Sequence, residues 1–146
     1  MERLIAIGSD HAGFCLKEIV KTSLEKEGFK FQDYGTGSED SVDYPDFIHP
    51  LAKSVNDGKF EFGIIICGSG NGVAMVANKY LRVRAAVCWN EEITKLARLH
   101  NDANIIALPA RFLGDEEAIK FVRLFLDTPF EGGRHERRVK KISAII

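Results

Sequence analysis

Three short loops in this chain gather the residue types that do chemistry. Cys67-Gly68-Ser69-Gly70-Asn71-Gly72 sets a thiol and a hydroxyl among three glycines. Ser9-Asp10-His11-Ala12-Gly13 places a carboxylate beside an imidazole, and His100-Asn101-Asp102-Ala103-Asn104 is a second polar stretch with a histidine at its head. Glycines permit positive φ and let a ligand approach the backbone closely. A helix that starts right after them presents unpaired N–H groups and a partial positive charge, which favour an anion. A thiol at such a place is drawn toward the thiolate, the form that acts as nucleophile or base. A tight strand-to-helix turn around an inert buried cysteine is the alternative reading of the same residues.

The glycine loop is not a dinucleotide fingerprint, because no G-x-G-x-x-G follows the first strand. Nor is it a P-loop, since the lysine followed by Ser or Thr is missing. A small phosphorylated or acidic metabolite suits it better than a nucleotide.

The elements that must hold these loops follow from hydrophobic spacing. Leu4-Ile5-Ala6-Ile7-Gly8 reads as a buried first strand. Phe14, Leu16, Ile19, Val20 and Leu24 recur at helical spacing, and Gly28 marks the stop. Phe29 to Tyr34 alternates as strand two, and Pro45 opens a helix through Val55. Gly63-Ile64-Ile65-Ile66-Cys67 is strand three, buried on both faces, with a helix after Asn71. Val83 to Cys88 is strand four, and Asn90 caps the next helix, which runs to Leu99. Ile105 to Leu108 is strand five, followed by a helix capped by Asp115. This alternation specifies an α/β fold: a doubly wound, Rossmann-like, three-layer single domain with a parallel five-stranded sheet over 1–146, closed by a basic segment over 131–146. Ligands of such sheets bind beyond the carboxyl ends of the strands, where the first two loops and Arg111 fall.

Composition narrows the partners. The 146 residues carry a net charge of −1, which leaves no electrostatic footprint for nucleic acid or an anionic membrane. Cys15, Cys67 and Cys88 lie far apart with no paired spacing, which argues against a disulfide framework or a cysteine-based zinc site and for a cytoplasmic setting. His11, His49, His100 and His135 show no metal-ligand spacing, so neither a metal nor a cofactor is expected. No apolar run reaches membrane-spanning length.

Taken together, Ser9 to Gly13, Asp43-Tyr44-Pro45, Cys67 to Gly72, Ala77-Asn78-Lys79, His100 to Asn104 and Gly132-Gly133-Arg134-His135-Glu136-Arg137-Arg138 resemble the B-type ribose-5-phosphate isomerases, in order and along essentially the whole chain. The resemblance implies a metal-free aldose–ketose isomerase of the non-oxidative pentose phosphate pathway, interconverting ribose 5-phosphate and ribulose 5-phosphate through an enediolate. It also implies a homodimer or tetramer with active sites shared between subunits. One branch of the family has a glutamate directly after the glycine loop; Val73 stands there, and Cys67 is present, so the chain resembles the cysteine branch.

The resemblance assigns Cys67 as base, Ser69 with the N–H groups of Gly70, Asn71 and Gly72 as oxyanion donors beside Gly68, and His100 as the acid that opens the sugar ring. Asn101, Asp10, His11 and Tyr44 are expected to touch sugar hydroxyls, His11 reaching toward the phosphate. Arg134 and Arg138, four apart on one helix face, are expected to join Arg111 in forked hydrogen bonds to the phosphate dianion. Each has a plainer alternative: a helix cap for Asp10, a helix end for His100 and Asn101, packing for Tyr44, and a solvated basic helix for the arginines. Two other functions stay open: a hexose-phosphate isomerase of the same family, acting on allose 6-phosphate or galactose 6-phosphate, and a non-catalytic phosphometabolite-binding module.

Overall fold

In the computed structural model, which describes residues 3–144, Ile64, Ile65 and Ile66 are each 0% exposed. Successive side chains of a strand point to opposite faces, so a run buried throughout needs a layer on each side. Both layers are present. Ile64 and Ile66 pack with Ile5, Ile7, Leu16, Val20, Val122 and Phe125, whereas Ile65 and Cys67 pack with Ala6, Leu51, Ala52, Val73 and Ala74.

The chain order is β1 (Arg3–Ser9), α1 (Phe14–Glu25), β2 (Phe29–Asp33), α2 (Tyr44–Asn56), β3 (Gly63–Cys67), α3 (Asn71–Ala77), β4 (Ala85–Val87), α4 (Glu91–Leu99), β5 (Ile105–Pro109), α5 (Asp115–Asp127) and α6 (Arg134–Ile142), with a 3-10 turn at Ala110–Phe112. The strands form one sheet in the order β2-β1-β3-β5-β4, and every neighbouring pair is parallel. Residues of α1 and α5 cover one face, and residues of α2 and α3 the other. This is the three-layer doubly wound fold that the alternation specifies.

Three expectations change in detail. β4 is confined to Ala85–Val87, shorter than the Val83 to Cys88 expected. Leu4 is 51% exposed, because it is the second residue of β1 and stands ahead of the stretch from Ile5 that the helices cover. The N-cap of α5 is Gly114 rather than Asp115; the Gly114 N–H donates to the Glu117 carboxylate at 3.0 Å, so an acid one turn into the helix closes its start. Asn90 caps α4 as expected, accepting the Ile93 N–H at 2.8 Å. No helix among the described residues is long and apolar enough to cross a membrane.

Candidate active site

Strand order reverses between β1 and β3, which places the crevice beyond their carboxyl ends. The two loops there are tied together by backbone: the Asp10 N–H donates to the Ile66 carbonyl at 3.2 Å. A Cβ on Gly13 would lie 2.6 Å from the Ile66 carbonyl oxygen, so only glycine lets α1 begin this close to β3. Gly13 occupies the N-cap position of α1, and the Asp10 carboxylate, in a residue 8% exposed, accepts its N–H at 3.0 Å. Asp10 thus braces the helix start without being its cap residue. His11 Nδ1 accepts the Val42 N–H at 3.1 Å, which ties the segment before α2 to the crevice.

Cys67 ends β3 with its side chain among the α2 and α3 residues. The Gly70 N–H donates to its Sγ at 3.1 Å, and Gly70 adopts φ 76°, a conformation that bends the chain back over the sulfur. An N–H aimed at sulfur stabilises negative charge there. The Asn71 N–H donates to Ser69 Oγ at 3.3 Å. Two of the three N–H groups expected to meet an oxyanion are therefore engaged within the loop itself. Tyr44 lies over Gly72, where a Cβ would come within 2.7 Å of its ring carbon Cζ. Because β5 is the neighbour of β3, the turn after β5 brings Arg111 onto the glycine loop. Its N–H donates to the Gly68 carbonyl at 3.0 Å, and its Nε lies 3.0 Å from where a Gly68 Cβ would stand.

Asp10, His11, Tyr44, the Cys67–Gly72 loop and Arg111 thus meet at one edge of the sheet. Beside them a cavity of about 400 Å³ is lined by Ser69, Asn71, Val87, Trp89, Pro109 and Phe112. Trp89 and Phe112 were not anticipated. Their signal was position: both follow strand ends, and both are large apolar side chains left exposed, at 53% and 74%.

The other two cysteine thiols are both raised above their ordinary value. Burial pushes the Cys88 thiol up to about 11, only partly opposed by Thr94. Cys15 is exposed, and its thiol donates to the Glu39 carboxylate at 2.6 Å, which raises it as well.

His100, Asn101, Arg134 and Arg138 are elsewhere. His100 is the C-cap of α4, in the connection that leads to the amino end of β5. Gly63 pairs with Ile105 and Cys67 with Pro109, so the segment before Ile105 lies at the opposite edge from Cys67. The two edges are separated by a five-residue strand, roughly 13 Å. His100, Asn101 and Arg138 line one cavity of about 340 Å³ with His135, Val139 and Ile142. Arg134 opens α6, one turn ahead of Arg138. Within one chain, then, neither the proposed ring-opening histidine nor these two arginines meet the thiol or Arg111.

That second edge holds a further cluster. The His100 and His135 rings stack at 4.1 Å with 11° between their planes, and His100 Nε2 is 3.7 Å from a Glu131 carboxylate oxygen. The Glu131 N–H donates to the Leu99 carbonyl at 3.1 Å, which docks the segment before α6 onto the end of α4. Burial first, and then nearby His100, push the His135 imidazole below its ordinary value. Sequence spacing left Glu131 and His135 out, because their third member lies some thirty positions earlier and is joined to them only by the fold.

A parallel sheet with a thiol at the carboxyl end of its central strand, beside carboxylate, imidazole, hydroxyl and guanidinium side chains, is an α/β protein of the doubly wound class. The chain belongs to the ribose/galactose isomerase family, which it matches over residues 5–142. It is 41% identical over 141 residues to ribose-5-phosphate isomerase B of Escherichia coli, covering 97% of this chain and 95% of that one. It is also 41% identical over 141 residues to the D-erythrulose-4-phosphate isomerase of Pectobacterium atrosepticum, covering 94% and 91%. Among solved structures, the Thermotoga maritima ribose 5-phosphate isomerase superposes with a TM-score of 0.95 at 49% identity, over 98% of this chain and 99% of that one. Ribose-5-phosphate isomerase B of Mycoplasma genitalium with bound ribulose-5-phosphate superposes with a TM-score of 0.91 at 44% identity, over 96% and 93%.

Proposed function

We propose that the protein interconverts ribose 5-phosphate and ribulose 5-phosphate, as a step of the non-oxidative pentose phosphate pathway. The observation that carries this reading is Cys67: a thiol at the mouth of the crevice, its sulfur facing the Gly70 N–H at 3.1 Å, in a chain of this family. The reaction moves one proton between adjacent carbons of the open-chain sugar. Cys67 as thiolate takes the proton from C2 of the aldose and returns it to C1 of the enediolate. Ser69 and the Gly72 N–H face the oxygen that gains charge, while the Gly70 N–H stays on the Cys67 sulfur and the Asn71 N–H on Ser69 Oγ. His100 supplies a proton to the ring oxygen as the sugar opens, a task suited to imidazole near neutral pH. Asp10, His11, Tyr44 and Asn101 hold hydroxyls, and Arg111, Arg134 and Arg138 hold the phosphate. Every step is assigned to a side chain or a backbone N–H.

The placement of the two half-sites supports a homodimer, or a tetramer of such dimers, in which the His100 edge of one subunit completes the Cys67 edge of its partner. Unpartnered apolar side chains support the same reading. Leu81 and Ile142, exposed at 63% and 59%, line a cavity that also reaches Asn101. Three free cysteines suit a reducing, cytoplasmic setting.

The test is turnover of purified protein on ribose 5-phosphate in deuterated water, following ribulose 5-phosphate and deuterium at the isomerised carbon. Erythrulose 4-phosphate is the second substrate to compare, since a relative of equal identity is named for it. Allose 6-phosphate is the third, one carbon longer than ribose 5-phosphate. A higher kcat/KM on either would reassign the substrate within the family. No exchange on any of them would leave a binding module.

A further inference from the structure

We propose that His100, Glu131 and His135 form a binding site for a divalent transition-metal ion such as Zn²⁺, and that the bound ion blocks isomerisation by occupying His100. The ion-binding half stands on geometry alone. The inhibitory half rests on the function proposed above.

His135 is the anchor. The residue is 6% exposed, and its Nε2 has no hydrogen-bond partner among the described residues. A buried imidazole nitrogen without a partner is uncommon and costly, and it points to something missing from its surroundings. What faces it is Glu131, with one carboxylate oxygen 3.9 Å from His135 Nε2 and the other 3.7 Å from His100 Nε2. One carboxylate therefore stands between two imidazoles, and the three ligand atoms all lie within 4.8 Å of one another.

Two imidazoles and one carboxylate are a ligand set that zinc accepts, with a fourth position left for water. Zinc bonds of about 2.0–2.2 Å in a tetrahedral arrangement bring ligand atoms to roughly 3.3–3.5 Å from each other. The cluster must draw in by about an ångström to reach that spacing. The parts that must move are free to do so: the His100 and Glu131 side chains are 40% and 55% exposed. The nearly parallel rings also have to tilt so that their lone pairs converge, and His100, at the end of α4, is the ring that turns.

Arg134 and Arg138 act in the opposite direction. Both place positive charge near His135 and disfavour a cation there. Both are exposed, so solvent and salt weaken their effect. The affinity expected is micromolar rather than that of a closed structural zinc site. The exposed His100 and Glu131 side chains let an ion reach the cluster from solvent.

Calorimetric titration of the chelator-stripped full chain with Zn²⁺ tests the site, with Co²⁺ as a spectroscopic stand-in whose visible bands report four-coordination. The expected result is one ion per chain, with affinity at least about tenfold weaker in both His135→Ala and Glu131→Gln. His135 is buried and its truncation affects packing, so Glu131→Gln, on an exposed side chain, is the variant that decides if His135→Ala unfolds. No uptake at about 100 μM Zn²⁺, weaker than the micromolar range, overturns the site. So does uptake that both folded variants leave unchanged.

For the inhibitory half, Zn²⁺ should slow ribose 5-phosphate turnover, chelator should restore it, and Glu131→Gln should shift the inhibition by the factor seen in calorimetry. Binding without inhibition overturns that half. Absence of turnover in zinc-free buffer counts against the proposed function and leaves the calorimetric result standing.

Discussion

Cys67 and His100 stand at opposite edges of one parallel sheet: Cys67 is level with Pro109 at the carboxyl end of β5, and His100 precedes the first residue of that strand. If one active site needs both, two chains must supply them. Mixing Cys67→Ala with His100→Ala protein under subunit exchange should therefore restore activity. Half of a statistical population is heterodimer, and each heterodimer has one intact site of two, so recovery approaches about a quarter of wild type for a two-fold assembly. Size-exclusion chromatography run alongside should show the dimer. No recovery despite demonstrated exchange would place both residues in one chain's site.

Cys67→Ala should lower kcat by about a hundredfold to ten-thousandfold, the usual contribution of a positioned base. It should also abolish deuterium incorporation while leaving phosphosugar affinity within a few-fold. Cys67→Ser should be nearly as poor, since a serine hydroxyl stays protonated at neutral pH. Cys15→Ala and Cys88→Ala should stay active. Alkylation at neutral pH should inactivate through Cys67, and bound substrate should slow it, whereas Cys88 resists because burial holds its thiol at about 11. Normal exchange in Cys67→Ala would move the base elsewhere, with Asp10 next to test.

Arg134→Ala or Arg138→Ala should raise KM for the phosphorylated sugar about tenfold to a hundredfold, the loss of one charged hydrogen bond. Lys at either position should recover only part, since an ammonium lacks the planar fork. The comparison substrate is unphosphorylated ribose. An equal loss on both substrates would mark general damage rather than a phosphate contact.

Lys17 is 1% exposed, and its ammonium lies 2.6 Å from Asp33, which also accepts from Lys21 at 2.8 Å. Burial alone would push the Asp33 carboxyl up; the hydrogen bonds from Lys17 and Lys21 outweigh it and hold the carboxyl below its usual range. A carboxyl lowered by folding contributes stability that is complete above its unfolded value of about 3.9 and is lost as pH falls through the folded value. Asp33→Asn should thus flatten the acid limb of the stability curve. At neutral pH it should cost about 3 kcal/mol by leaving a buried ammonium short of its partner. Thermal melts should fall by about 10 °C. An unchanged melting temperature would mean that Glu18, 3.1 Å from Lys17, suffices alone.

The sheet and its carboxyl-edge loops were legible because they rest on local signals. Three isoleucines ending at a cysteine need burial on both faces, and glycines directly after them need a turn. Arg111 was legible as a strand-end residue, although its seat on Gly68 depends on β5 lying beside β3, which no local pattern encodes. The Glu131 and His135 pairing with His100 was not legible, because it arises where a loop docks on the end of a distant helix. Leu4 misled for a related reason: it stands at the start of β1, ahead of the run from Ile5 that the helix layers cover.

The Val42 N–H that occupies His11 Nδ1 has a consequence for how this crevice tells ligands apart. With Nδ1 accepting, the neutral ring carries its hydrogen on Nε2, and its free edge offers the crevice a donor rather than an acceptor. Such an edge welcomes a phosphate or hydroxyl oxygen and repels an ammonium, so an amino sugar presenting nitrogen at this point should be turned away. The tautomer is visible in nitrogen-15 correlation spectra as a protonated Nε2, and removing the segment that carries Val42 should free the ring to exchange between its two forms.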